Sequence, residues 1–193
     1  MYPAIDPKRM NGSESIVSPD GKTVSQLLDF WQWAYSDLVS NAERGTFAEY
    51  LVACALGIHS KERISWDKYD LLSNRGVAIE VKTSGYLQSW EQKSLSKPVF
   101  GIQPTYGWDS KSNTYEPVQK RQADIYVFCL HKHVDPATIN PLQISQWEFY
   151  LMSTAKLNKT FPSQKTVSLS ALLKAGAELC PYDRLSTRIH ELV

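Results

Sequence analysis

The chain has 193 residues, 42% of them hydrophobic, with Trp 6, Tyr 10, Phe 6 and a formal net charge of +1. That supplies one sizeable core but is short for two domains, and a charged fraction of 21% spread along the chain excludes a largely disordered protein. The near-neutral balance excludes a protein that coats polyanions by bulk charge, so any nucleic-acid contact must come from a local patch.

Residues 1–22, with Pro3, Pro7 and Pro19 among Ser and Gly, read as a polar, flexible tail without the apolar run of a signal peptide. Residues 23–193 read as a single domain. Thr23 is placed to cap a helix through Leu27, Leu28, Phe30, Trp31, Ala34, Tyr35 and Leu38. A second helix is expected from Ser40, where Ser40-Asn41-Ala42-Glu43 fits the capping-box pattern, through Phe47, Leu51, Val52 and Ala55 to a stop at Gly57. The period then changes. Ser65 to Ser73 and Val77 to Thr83 read as two strands around Asn74-Arg75-Gly76, with Gly76 in the left-handed position of a three-residue loop.

Pro98 to Gln103 reads as a short strand, Gln103 to Lys120 as a long loop, and Ala123 to Leu130 as a strongly apolar strand. His131 to Gln146 reads as a connection, with His131-Lys132-His133 in a solvated loop, followed by a strand at Trp147 to Met152. Helices are expected at Ser168 to Ala175, ended by Gly176, and at Tyr182 to Leu192. Helices at both ends of a strand-rich middle predict an α/β fold with a central mixed β-sheet flanked by α-helices on both faces. Cys54, Cys129 and Cys180 are odd in number, far apart and without a CxxC pair, so they read as reduced core thiols in a cytoplasmic protein. The longest mostly apolar stretch, Tyr50 to Ile58, falls far short of the roughly 20 residues of a membrane span, and no membrane contact is expected.

Chemistry concentrates on the strand Val77-Ala78-Ile79-Glu80-Val81-Lys82-Thr83. Alternation places Glu80 and Lys82 on one face, roughly 7 Å apart along the backbone. A three-residue loop pairs Leu71 with Ile79 and sets Asp70 directly opposite Glu80. Two carboxylates about 5 Å apart across a hairpin repel each other unless one is protonated or a cation sits between them. Mg²⁺ or Mn²⁺, bound by two carboxylates, a main-chain carbonyl and waters, meets that cost. Lys82 is then placed to orient a water and to neutralise charge on a phosphate oxygen. The same register sets Lys68 opposite Lys82. On the second helix Glu49 lies on a mostly small or apolar stripe with Gly45, Val52, Ala53 and Leu56, where a carboxylate is out of place. Glu43 is already explained by the helix start.

The order of Glu49 on a helix, Asp70 on a strand and Glu80-Val81-Lys82 on the paired strand resembles the PD-(D/E)XK nuclease superfamily, with its restriction-endonuclease-like fold. The resemblance covers Ser40 to Tyr86, and Ala123 to Leu130 looks like that family's next core strand. It implies metal binding by Asp70, Glu80 and the backbone carbonyl of Val81, assistance to the nucleophile by Lys82, and a helical glutamate, Glu49, lining the site. Tyr69 stands where many members carry proline.

The expectation is therefore a Mg²⁺- or Mn²⁺-dependent nuclease acting on nucleic acid, DNA in the first place and by endonucleolytic cutting. Two alternatives are a nucleic-acid-binding or scaffold subunit with a silent site, and an RNA-processing nuclease. A homodimer or a place in a larger complex is compatible with either. Further contacts to nucleic acid are assigned to Lys68, Gln88, Gln92, Lys120 and Arg121, with Lys111 on the same rim and Trp108 as a stacking candidate. Asp67, three residues before Asp70, falls on the opposite strand face and is not assigned.

Overall fold

The computed structural model describes residues 2, 5, 7–60, 62–63, 68–109 and 114–193. Asp67, Lys111 and the start of the strand expected from Ser65 lie outside them. The chain begins with a hairpin of β1 (Ser15–Val17) and β2 (Thr23–Gln26), followed by α1 (Leu27–Tyr35) and α2 (Asn41–Ala55). Then come β3 (Leu71–Leu72), β4 (Ala78–Gly85), β5 (Val99–Gly101), β6 (Trp108–Asp109), β7 (Thr114–Tyr115) and β8 (Ile125–His131). The remainder is β9 (Trp147–Ser153), α3 (Thr154–Thr160), β10 (Thr166–Ser168), α4 (Leu169–Lys174), β11 (Glu178–Cys180) and α5 (Leu185–Glu191).

The central sheet is mixed, in the order β11-β9-β8-β4-β3, with β4 and β8 parallel and the other neighbours antiparallel. Strand β8 lies at its centre and all seven of its residues are buried, which is why it reads as an unbroken apolar run. Its alternate side chains feed two cores. Val127 and Cys129 pack with Ile79 and Val81 of β4, Ala48 and Val52 of α2, and Leu185 and Ile189 of α5. Tyr126, Phe128 and Leu130 pack on the other face with Phe100, Leu157 of α3 and Leu172 of α4. Helices thus cover both faces, as the element order implies. Among the described residues no helix is long and apolar enough to cross a membrane.

Several local expectations need correction. Thr23 begins a strand instead of capping a helix: residues 23–26 pair with 15–17, and the helix starts at Leu27, four residues later, where Asp29 accepts the Gln26 main-chain N–H at 2.9 Å. The long loop after residue 103 carries a small ladder of its own, β6 with β7 and a Thr105–Lys120 bridge. Trp108 is engaged there with the Tyr115 ring, 4.8 Å away. His131 ends β8 and is 1% exposed, so the solvated reading fails for it; its ring meets that of Trp147 edge-on. Cys129 and Cys180 are free and buried, and Cys54 is free and partly buried.

Candidate active site

The site is organised by the β3–β4 hairpin. Gly76 takes a φ of +79°, which lets the chain turn in three residues, and the Ser73 main-chain N–H donates to Val77 O at 2.9 Å. Leu71 pairs with Ile79 and Leu72 with Ala78, and the Asp70 N–H continues the ladder to Ile79 O at 3.1 Å. This is the register the loop length implies, and it brings Asp70 to the level of Glu80. The regular strand stops at Leu71, so Lys68 is not held opposite Lys82. Its ammonium lies 3.8 Å from Glu116.

Beyond Asp70, β4 has no strand partner on that side among the described residues. The Asp70 carboxylate takes over for one position, accepting the Val81 main-chain N–H at 2.7 Å. On either side of that amide stand Glu80 and Lys82, whose charged ends meet at 2.5 Å. Both are largely withdrawn from water. Burial pushes the Glu80 carboxyl above the usual glutamate range, the Asp70 charge adds to the shift, and Lys82 offsets part of it. For Lys82 burial pulls downward, but Glu80, Asp70 and Glu49 together outweigh it and hold the ammonium above its ordinary value. All four groups therefore share one electrostatic neighbourhood, although they come from three elements.

Glu49 reaches this neighbourhood from α2, which packs against β4 with Gly45 facing Thr83. Its carboxylate is gripped by Arg63 with two nitrogens, at 2.5 and 2.9 Å, an orientation that fixes the acid in place. The sequence pattern does not single out Arg63. It sits in a connection with no periodicity, and only the pairing reveals it. Glu49, Arg63 and Asp70 line a cleft of about 970 Å³ together with Trp31, Tyr35 and Tyr50.

The donor set suits a hard divalent cation. Asp70, Glu80 and the Val81 carbonyl offer oxygen ligands, and Lys82 stands against Glu80 as the present counter-charge. Among the described residues no group of three or more His, Cys, Asp or Glu side chains gathers tightly enough to hold a metal alone. The ion's remaining positions would thus fall to the backbone and to water, which is the habit of Mg²⁺.

The residues assigned to nucleic-acid contact fare differently. Gln88 donates to Gly85 O at 3.1 Å, and its own N–H donates to Gln92 Oε1 at 2.8 Å. Gln92 in turn donates to Tyr86 O and Ser96 Oγ, so both glutamines build the loop after β4. Lys120 pairs with Glu116 at 2.7 Å. Arg121 is a correction: 5% exposed, it spends its guanidinium on Ile102 O, Phe161 O and Asn158 Oδ1, clamping two loops together instead of facing phosphate.

Compared with known families, residues 7–171 match the family model described as Bacteriophage T4 endonuclease IV. None of the curated proteins matches the chain significantly.

Proposed function

The chain belongs to the bacteriophage T4 endonuclease IV family, a family of nucleases matched over most of its length, and from that premise we propose that it is a metal-dependent DNA endonuclease of the PD-(D/E)XK type. The observation that carries this reading is the hairpin register: Asp70 faces Glu80, binds the amide of Val81, and leaves Lys82 on the Glu80 carboxylate. The restriction-endonuclease-like fold is part of the same reading, supported by the mixed sheet with helices on both faces.

Mg²⁺ or Mn²⁺, held by Asp70, Glu80 and the Val81 carbonyl, would supply Lewis-acid activation of water and charge neutralisation at the phosphate. The chain's own residues do the rest. Asp70 is held by main-chain hydrogen bonds at both its amide and its carboxylate, and Glu80 by its place in the β4–β8 ladder, so the two acids stand at one level before a ligand arrives. Lys82, held in its charged form, acts as a cation that orients the attacking group and stabilises the extra negative charge of the transition state. Glu49, fixed by Arg63, borders the same space and holds the charge balance around Lys82.

The test is incubation with single-stranded, duplex and structured DNA and RNA in Mg²⁺ or Mn²⁺, beside Asp70→Ala and Lys82→Ala. Internal cutting of DNA that needs the ion and falls at least about a hundredfold in both variants is the expected result. Equal cutting by the variants, or none by the parent, removes the assignment. Preferential cutting of RNA replaces the substrate class.

A further inference from the structure

Arg44 on α2 is 2% exposed, yet none of the hydrogen-bond partners of its guanidinium carries a charge. They are Val39 O at 3.1 Å, Leu87 O at 3.2 Å, Gln88 Oε1 at 3.5 Å and the side-chain oxygen of Asn41. Among the described residues its Nε has no partner, and neither has the hydroxyl of neighbouring Thr83. Taking a guanidinium out of water is costly, and the usual compensation is a carboxylate. Among the described residues no salt bridge reaches Arg44. An arginine serving only to tie the loop after β4 to the start of α2 would leave both the missing anion and the orphaned nitrogen unexplained.

Arg44 lines a pocket of about 350 Å³ together with Thr83, Ser84, Trp90 and Lys97, and among the described residues its wall holds two cations and no carboxylate. The pocket lies at the far end of the same unpartnered stretch of β4 that begins at Val81. From Glu80 to Ser84 the strand rises roughly 13 Å, a span of a few phosphates along one nucleic-acid strand. Arginine is also the side chain whose planar fork best matches a phosphate.

We propose that this pocket is a phosphate subsite: Arg44 and Lys97 hold a backbone phosphate of the bound nucleic acid a few nucleotides from the cut, and so set the strand's position along β4. The proposal rests on the nuclease reading of the Asp70–Glu80–Lys82 site, and its test is read by binding so that the two can fail separately. The probe is a short DNA, single-stranded and as a duplex, in which one linkage at a time is a neutral methylphosphonate, bound in EDTA so that nothing is cut.

One linkage is expected whose neutralisation weakens binding to the parent about tenfold. The same linkage becomes nearly silent in Arg44→Gln, and the salt dependence of binding loses about one unit of slope in Arg44→Gln and in Lys97→Ala. Lys97 is exposed, so its variant keeps the test decisive if the Arg44 variant fails to fold. No such linkage, or unchanged slopes and linkage profiles in the variants, overturns the subsite. A parent protein that shows the linkage signature but cuts nothing in Mg²⁺ overturns the nuclease reading and leaves the subsite standing. Asp70→Ala is expected to keep the signature.

Discussion

The Lys82 ammonium lies 2.5 Å from the Glu80 carboxylate, two positions along the same strand, in the place where a cation would otherwise meet that acid. Ion binding must therefore compete with a resident charge. Lys82→Gln is expected to bind Mg²⁺ several-fold more tightly than the parent, by titration calorimetry, while its cutting rate falls roughly 10²- to 10³-fold. Weaker ion binding in that variant would place Lys82 outside the ion's surroundings.

The shifted groups predict a pH profile. Glu80 is held above the usual glutamate range by burial and by Asp70, so in the metal-free protein the native form gives up its proton at a higher pH than the unfolded chain does. Its contribution to stability is accordingly present at low pH and is lost as pH rises through the native value. Glu80→Gln, which cannot lose that proton, is expected to unfold at higher temperature than the parent at neutral pH. Lys82, raised by its acidic neighbours, stabilises the native state below the unfolded lysine value and loses that effect only as pH rises past its own. Cutting should therefore decline on the acid side through Glu80, and on the alkaline side only above the ordinary lysine range.

A second titration belongs to His131. Burial, with the nearby Arg44 charge, lowers its pKa from 6.5 to about 4. The unfolded chain takes up a proton before the native one does, so stability is present above 6.5 and is lost as pH falls toward 4. Thermal unfolding between pH 7 and pH 4.5 is expected to show this loss, and His131→Phe to show less of it. An NMR titration of His131 near 6.5 in the folded parent would contradict the burial argument.

Gly76 offers a stability test that leaves the chemical groups untouched. A Cβ there would meet nothing within 4 Å, but the φ of +79° is strained for any L side chain. Gly76→Ala should cost about 1–2 kcal/mol in denaturant unfolding. A smaller effect would mean that the turn relaxes, and cutting would then fall with the register of Asp70 against Glu80.

What the chain revealed in advance divides along physical lines. Strands β4 and β8 were readable because burial on one or both faces writes itself into alternation or an apolar run, and the hairpin register because one loop glycine determines it. The β1–β2 hairpin was not, since short and mostly exposed strands carry no such imprint, and helix capping by Gln26 with Asp29 leaves a weaker trace than a threonine does. Glu49 stood out as an acid among small residues, whereas Arg63, fourteen positions away, was visible only through the pairing. Arg121 and Arg44 illustrate the remaining difficulty. Sequence records that a side chain is charged but not whether carbonyls surround it, so Arg121 reads as part of a phosphate rim and Arg44 carries no signal.

The pairing of the β3–β4 hairpin also restricts how this protein can vary. Residues paired across a hairpin share a face whatever the loop length, so insertions at 74–76 that leave Leu71 against Ile79 keep Asp70 beside Glu80. One residue added between Ile79 and Glu80 would instead turn one part of β4 to the opposite face and part the two acids unless a bulge absorbed the change. Loop insertions should thus be tolerated and strand insertions should abolish cutting, which a library of insertions screened for cutting can read directly.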